Sequence, residues 1–118
     1  MSKHDPKITL QQMRDYADRA QRLCAGRKPE DLEKELEFRL ALERALEVIG
    51  EAAFQLGDEF HAEHPEVEWR KIIGMRNVLA HGYDVIRADI LWDIAVRDAP
   101  TLLAHIDRML RKLSGNNG

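Results

Sequence analysis

Leu42-Glu43-Arg44-Ala45-Leu46-Glu47-Val48-Ile49-Gly50-Glu51-Ala52-Ala53-Phe54-Gln55-Leu56-Gly57-Asp58-Glu59-Phe60 decides the fold. Within it Leu42, Leu46, Ile49, Ala53, Leu56 and Phe60 advance in alternating steps of four and three. A helix turns about 100° per residue, so these six share one face that needs covering. A second stripe, Leu32, Leu36, Leu40 and Val48, lies partly on another face. A helix that is apolar on two sides calls for two neighbours, its own bundle and a further partner such as a second subunit. The small residues around Gly50-Glu51-Ala52-Ala53 permit close approach of another helix. The periodicity predicts one long helix from about Pro29 towards His64, ended by Pro65.

The same pattern continues on both sides. Asp5-Pro6 opens a helix whose stripe is Leu10, Met13, Ala17, Ala20 and Cys24, and Gly26 stops it. Pro29 then sits in the first turn of the next helix, with Glu30 and Asp31 beside its positive end. A third helix is predicted from Glu68-Trp69 to Ala80 or His81, where Gly82 suits a helix terminus. A fourth covers Ala88 to Val96, and Asp98-Ala99-Pro100 breaks or kinks it. Leu102, Leu103, Ile106, Met109, Leu110 and Leu113 form a last stripe before a frayed tail at 114–118. The expectation is all-α: residues 1–118 as a single domain, a compact bundle of four to five helices.

Composition narrows the function. The 118 residues are 44% hydrophobic and 33% charged, a balance that folds. The formal charge of −3 argues against a protein that coats nucleic acid through a broadly basic surface, but leaves room for one local basic site. No apolar run approaches a membrane span, and Met1-Ser2-Lys3-His4-Asp5 does not open like a secretory signal. The single cysteine, Cys24, has no partner for an internal disulfide and reads as a small buried hydrophobe, which fits a cytoplasmic protein.

The chemistry is concentrated in Gly74-Met75-Arg76-Asn77-Val78-Leu79-Ala80-His81-Gly82-Tyr83-Asp84. Asn77 and His81 are four apart and share a helix face. Arg76 and His81 are five apart, which on a straight helix separates them by about 140°. One copy therefore aims them poorly at a single atom, unless the helix unwinds at Gly82 or a second copy completes the site. At a helix C-terminus the dipole favours an imidazolium, so His81 suits a proton donor. A proton-exchanging histidine beside a guanidinium that clamps phosphate is apparatus for breaking a phosphodiester. No metal or other cofactor is needed if the attacking group is the RNA's own 2′-hydroxyl.

Plainer roles compete. Arg76 could be a surface arginine paired with Asp84 or a glutamate, His81 a helix cap, and Tyr83 a packing residue. Glu51 reads first as a polar residue at a groove edge, and second as a contact for Arg76 or for a dimer site. His61 and His64, with Glu59 and Glu63, hint at metal ligands, although a solvated helix end is the simpler reading. Trp69 and Trp92 read as core anchors rather than base-stacking platforms.

The string Arg76-Asn77-Val78-Leu79-Ala80-His81-Gly82-Tyr83 resembles the signature of HepT-like toxins of the HEPN superfamily (higher eukaryotes and prokaryotes nucleotide-binding). Ile49-Gly50-Glu51-Ala52, Glu68-Trp69 and the segment from Trp92 to Leu102 extend the resemblance over about residues 35 to 110. The resemblance implies a metal-independent endoribonuclease acting as a homodimer, the toxin of a type VII toxin–antitoxin system. It implies Arg76 as the phosphate clamp, His81 as general acid or base, and Asn77 as the residue that orients His81 or the substrate. It also implies RNA as substrate and a minimal nucleotidyltransferase antitoxin as partner, which transfers AMP to Tyr83. The alternative is a helical adaptor of the same superfamily that binds nucleotide or protein without cutting.

Overall fold

The computed structural model describes residues 5–81 and 86–115. Among them are six α-helices and one π-helical turn: α1 (Pro6–Cys24), α2 (Asp31–Lys34), α3 (Leu36–Glu63), α4 (Trp69–His81), α5 (Ala88–Asp93), the π turn (Ile94–Asp98) and α6 (Ala99–Leu113). The chain is an all-α bundle, as its periodicity implies. Asp5 caps α1, its carboxylate accepting from the Lys7 amide at 3.0 Å, with Pro6 in the first turn.

α1, α3 and α6 form the centre. Leu10, Met13, Ala17 and Ala20 of α1 are fully sealed, as are Leu42 and Ala53 of α3 and Ile106 of α6. Each large aliphatic side chain so buried stabilises by about 1.5–3 kcal/mol. The two periodic stripes that run along α1 and α3 are thus the seam of one core. Cys24 closes the α1 stripe, and its burial raises the thiol pKa above its ordinary value.

Three expectations about continuity need correction. The predicted helix from Pro29 to His64 is divided at Glu35, whose backbone is extended (φ −114°, ψ 98°). A continuous helix would put Leu32, Leu36 and Leu40 on one side. The break instead turns Leu32 into the core at 1% exposure and leaves Leu36 and Leu40 outside at 68% and 53%. Arg27 braces this joint: it ion-pairs with Glu35 at 3.3 Å, donates to the Leu23 carbonyl at 2.9 Å and stacks over the Phe38 ring.

The second correction lies at Gly57, where α3 bends through a conformation with φ +88° and ψ 164°. A residue with a side chain rarely adopts that φ. Beyond the bend, His61 reaches back across it, its Nε2 2.7 Å from the Ala53 carbonyl oxygen. The His61 ring stacks on Trp69 at 4.6 Å, and Trp69 donates its indole N–H to the His64 carbonyl at 2.8 Å. These contacts fix where α4 begins. The third correction concerns Asp98-Ala99-Pro100, which does not break the helix. The π turn absorbs the proline, which has no N–H to donate, and helical backbone continues into α6.

Candidate active site

The site is built where α4 crosses α3, and Gly50 makes the crossing possible. A β-carbon at position 50 would collide with the β-carbon of Arg76 and lie 3.0 Å from the Ile72 carbonyl oxygen. Only hydrogen fits there, so the two backbones meet at Gly50 and Arg76 leaves α4 at the contact point. One turn further along α3, the Phe54 ring lies under the guanidinium, with Cζ 4.9 Å from the ring centroid. Arg76 also donates from Nη1 to the Asn77 side-chain oxygen at 2.9 Å.

One feature sets this arginine apart. Its Nε is buried without a hydrogen-bond partner among the described residues, an arrangement that costs about 1–3 kcal/mol and calls for an explanation. No carboxylate among the described residues lies within ion-pair distance of it, a state it shares with Arg19, Arg70, Arg97, Arg108 and Arg111, whereas Arg14, Arg22, Arg27, Arg39, Arg44 and Arg87 each have one. An un-neutralised guanidinium at a partly open helix crossing is suited to an anion.

α4 stays helical through His81, so position 81 lies about 140° around the helix from Arg76. The unwinding at Gly82 that would bring the two together within one chain lies outside the described residues. Positions 74, 77, 78 and 81 follow the i, i+3, i+4, i+7 spacing of a single face. Around Gly74 there is open space, and Val78 is 45% exposed. The side chain of His81 lies outside the described residues, as do Gly82, Tyr83 and Asp84.

The other candidates separate clearly. Glu51 is partly buried beside Gly50 and makes no ion pair among the described residues. His61 is engaged with the Ala53 carbonyl and Trp69, while His64 lies 3.6 Å from Glu66. Among the described residues no three His, Cys, Asp or Glu side chains group as metal ligands. Trp69 is buried at 6% exposure and Trp92 packs against the core, so both are anchors. Sequence reasoning missed Phe54. Its signal was available: it stands one turn after Gly50 but just off the buried stripe.

Beyond α4 the chain is tied back to α3 by Arg39, which donates to the Ile86 carbonyl and pairs with Glu43 at 2.8 Å. A cavity of about 300 Å³ between α3, α4 and α6 is lined by Leu46, Ile49, Ile72, Leu102, Lys71 and Asp98. Among the described residues no helix is long and apolar enough to cross a membrane.

Comparison with known proteins gives a consistent picture. The family model described as "Ribonuclease HepT-like" matches residues 13–109. "Putative RNase MJ1380" of Methanocaldococcus jannaschii is 37% identical over 70 residues, 59% of this chain and 64% of that protein, so the chain spans under two thirds of that relative. "Putative RNase TTE0752" of Caldanaerobacter subterraneus subsp. tengcongensis is 36% identical over 83 residues, 70% of this chain and 74% of its own length. "Probable ribonuclease HepT" of Thermococcus cleftensis is 34% identical over 80 residues, covering 68% and 73%. No solved structure matches. With the model spanning α1 to α6 and relatives above 30% identity covering two thirds of the sequence, the chain belongs to the ribonuclease HepT-like family.

Proposed function

We propose that this HepT-like protein is the toxin of a type VII toxin–antitoxin pair, a metal-independent endoribonuclease whose site is completed by a second copy of the chain. The observation that carries the proposal is Arg76: a guanidinium without a carboxylate partner among the described residues, held at the crossing of α3 and α4, five residues before His81. Arg76 binds the scissile phosphate through charge-assisted hydrogen bonds. The 2′-hydroxyl of the RNA attacks phosphorus and loses its proton to a base. The bond from phosphorus to the 5′-oxygen breaks, and that oxygen takes a proton from an acid. His81 of the two subunits supplies these two roles, leaving a 2′,3′-cyclic phosphate. Asn77 restrains Arg76 and faces the partner on the same helical side as position 81, with Glu51 beside the groove.

The 140° offset between Arg76 and position 81 supports a two-chain site, as does the uncovered face at Gly74 and Val78. The protein partner is a minimal nucleotidyltransferase that silences the toxin by placing AMP on Tyr83, adding negative charge and bulk where the RNA phosphate must sit.

Purified protein incubated with RNA in excess EDTA tests the activity. Cleavage persists in chelator, and His81→Ala lowers it by about 10²–10⁴-fold, the contribution of a positioned acid or base. Arg76→Ala abolishes it to a similar extent. Val78→Asp converts the dimer to monomer by light scattering and silences cleavage. Intact mass after co-expression with the nucleotidyltransferase rises by AMP units, and Tyr83→Phe removes the shift. A dimer that binds RNA but leaves it whole would make the protein a non-cutting adaptor.

A further inference from the structure

The Arg76 guanidinium is restrained from three directions, and one restraint has no counterpart in any role assigned so far. Gly50 sets where the side chain leaves the helix, and Asn77 fixes the rotation of its plane through the 2.9 Å hydrogen bond. The third restraint is the Phe54 ring, 4.9 Å below Cζ. Phe54 is 55% exposed, so it contributes little to the core for a residue of its size. We propose that Phe54 is a positioning residue for Arg76: it holds the guanidinium flat, with its fork directed at the substrate phosphate, and does so without neutralising it. This rests on the reading of Arg76 as the phosphate-binding group.

The chemistry explains why the platform is a ring. A carboxylate in the same place would hold Arg76 more firmly but would cancel the charge that attracts phosphate. An aromatic face attracts a cation through its quadrupole and leaves the net charge intact. Arg19 stacks on the Tyr16 ring and also has no ion pair among the described residues, but it is exposed and lacks the buried, unpartnered Nε of Arg76. Arg27 lies over Phe38, but Phe38 is buried and Arg27 is already spent on Glu35 and the Leu23 carbonyl. Arg76 combines an open ring with a buried Nε and no carboxylate partner among the described residues. The same ring lies one residue beyond Ala53, whose carbonyl His61 engages, so the bent end of α3 anchors the platform.

The test is a double-mutant cycle on the dimer. Phe54→Leu keeps an apolar side chain and removes the π face; Phe54→Trp keeps the π face and deepens it. Cleavage and the affinity for a 2′-O-methyl RNA oligonucleotide, which lacks the attacking hydroxyl, are both read. Phe54→Leu is expected to lower kcat and oligonucleotide affinity by roughly three- to thirtyfold, the range of one cation–π contact. Phe54→Trp is expected to retain both. In the Arg76→Ala background Phe54→Leu should weaken affinity no further, because the group it positions is gone. An equal loss in both backgrounds would overturn the proposal, since the ring would then touch RNA itself or serve the fold. An unimpaired Phe54→Leu with an inactive Arg76→Ala would overturn the proposal alone. A fully active Arg76→Ala would instead remove the reading on which it rests.

Discussion

α1 and α4 are both amphipathic helices laid against α3, yet they finish differently. In α1 six residues are buried, from Thr9 to Cys24, and its polar side faces out. Among the described side chains of α4 only Trp69, at the first position, is buried; Ile72, Ile73, Met75 and Leu79 are half covered and Val78 is open. α1 seals a continuous stripe within one chain, although Ile8 stays 64% exposed. α4 is anchored at one end and along one line, with the rest of its apolar surface unspent. Burial is densest where the chain must be held together, and sparser at the helix that carries the proposed site.

Substitutions sharpen that contrast. Leu10→Ala empties a sealed position and should cost about 2–5 kcal/mol in urea unfolding, while cleavage per folded molecule stays the same. A parallel fall in specific activity would break the separation between core and site. Gly50→Ala acts at the junction of the two regions. Its new methyl group must push α4 away from α3, with an expected loss of about 1–3 kcal/mol by thermal unfolding and a fall in cleavage as Arg76 is displaced. Unchanged stability and activity would mean that α4 is too loosely held for the crossing to matter.

Trp69→Phe removes the indole donor to the His64 carbonyl, about 0.5–1.5 kcal/mol, and leaves a smaller ring beneath His61, which adds to the loss. Cys24 gives the smallest effect, with a defined sign. Desolvation raises the folded thiol pKa, only partly offset by Arg27. Below the unfolded thiol pKa of about 8.5 the burial of the neutral thiol is fully stabilising. Above it the unfolded chain ionises first, so stability falls as pH rises through the folded pKa. Urea titrations at neutral and alkaline pH should show that decline in the wild type and a shallower one in Cys24→Ala.

Much of this was legible in the residues. The four-and-three stripes of α1 and α3 depend on local geometry alone, so counting finds them. Gly50 was legible as a place of close approach because small side chains there have no other use. The break at Glu35 was not, because no proline or glycine marks it; it exists so that Leu32 can turn inwards, a tertiary demand. Gly57 is equally compatible in sequence with a straight helix. Pro100 signals disruption, but a π turn satisfies it without interruption. At the site, Arg76 and Asn77 announce themselves through the motif. Phe54 does not, because its partner lies 22 positions away and only the helix crossing unites them.

The His61 bond to Ala53 carries one more implication. Nε2 can donate to that carbonyl both as the neutral tautomer with hydrogen on Nε2 and as the imidazolium, so acid need not release the bend in α3. Phe54, next to Ala53, keeps its seat in either state. A drop in ribonuclease rate on mild acidification would then report on proton traffic around the phosphate, with the scaffold beneath it unmoved.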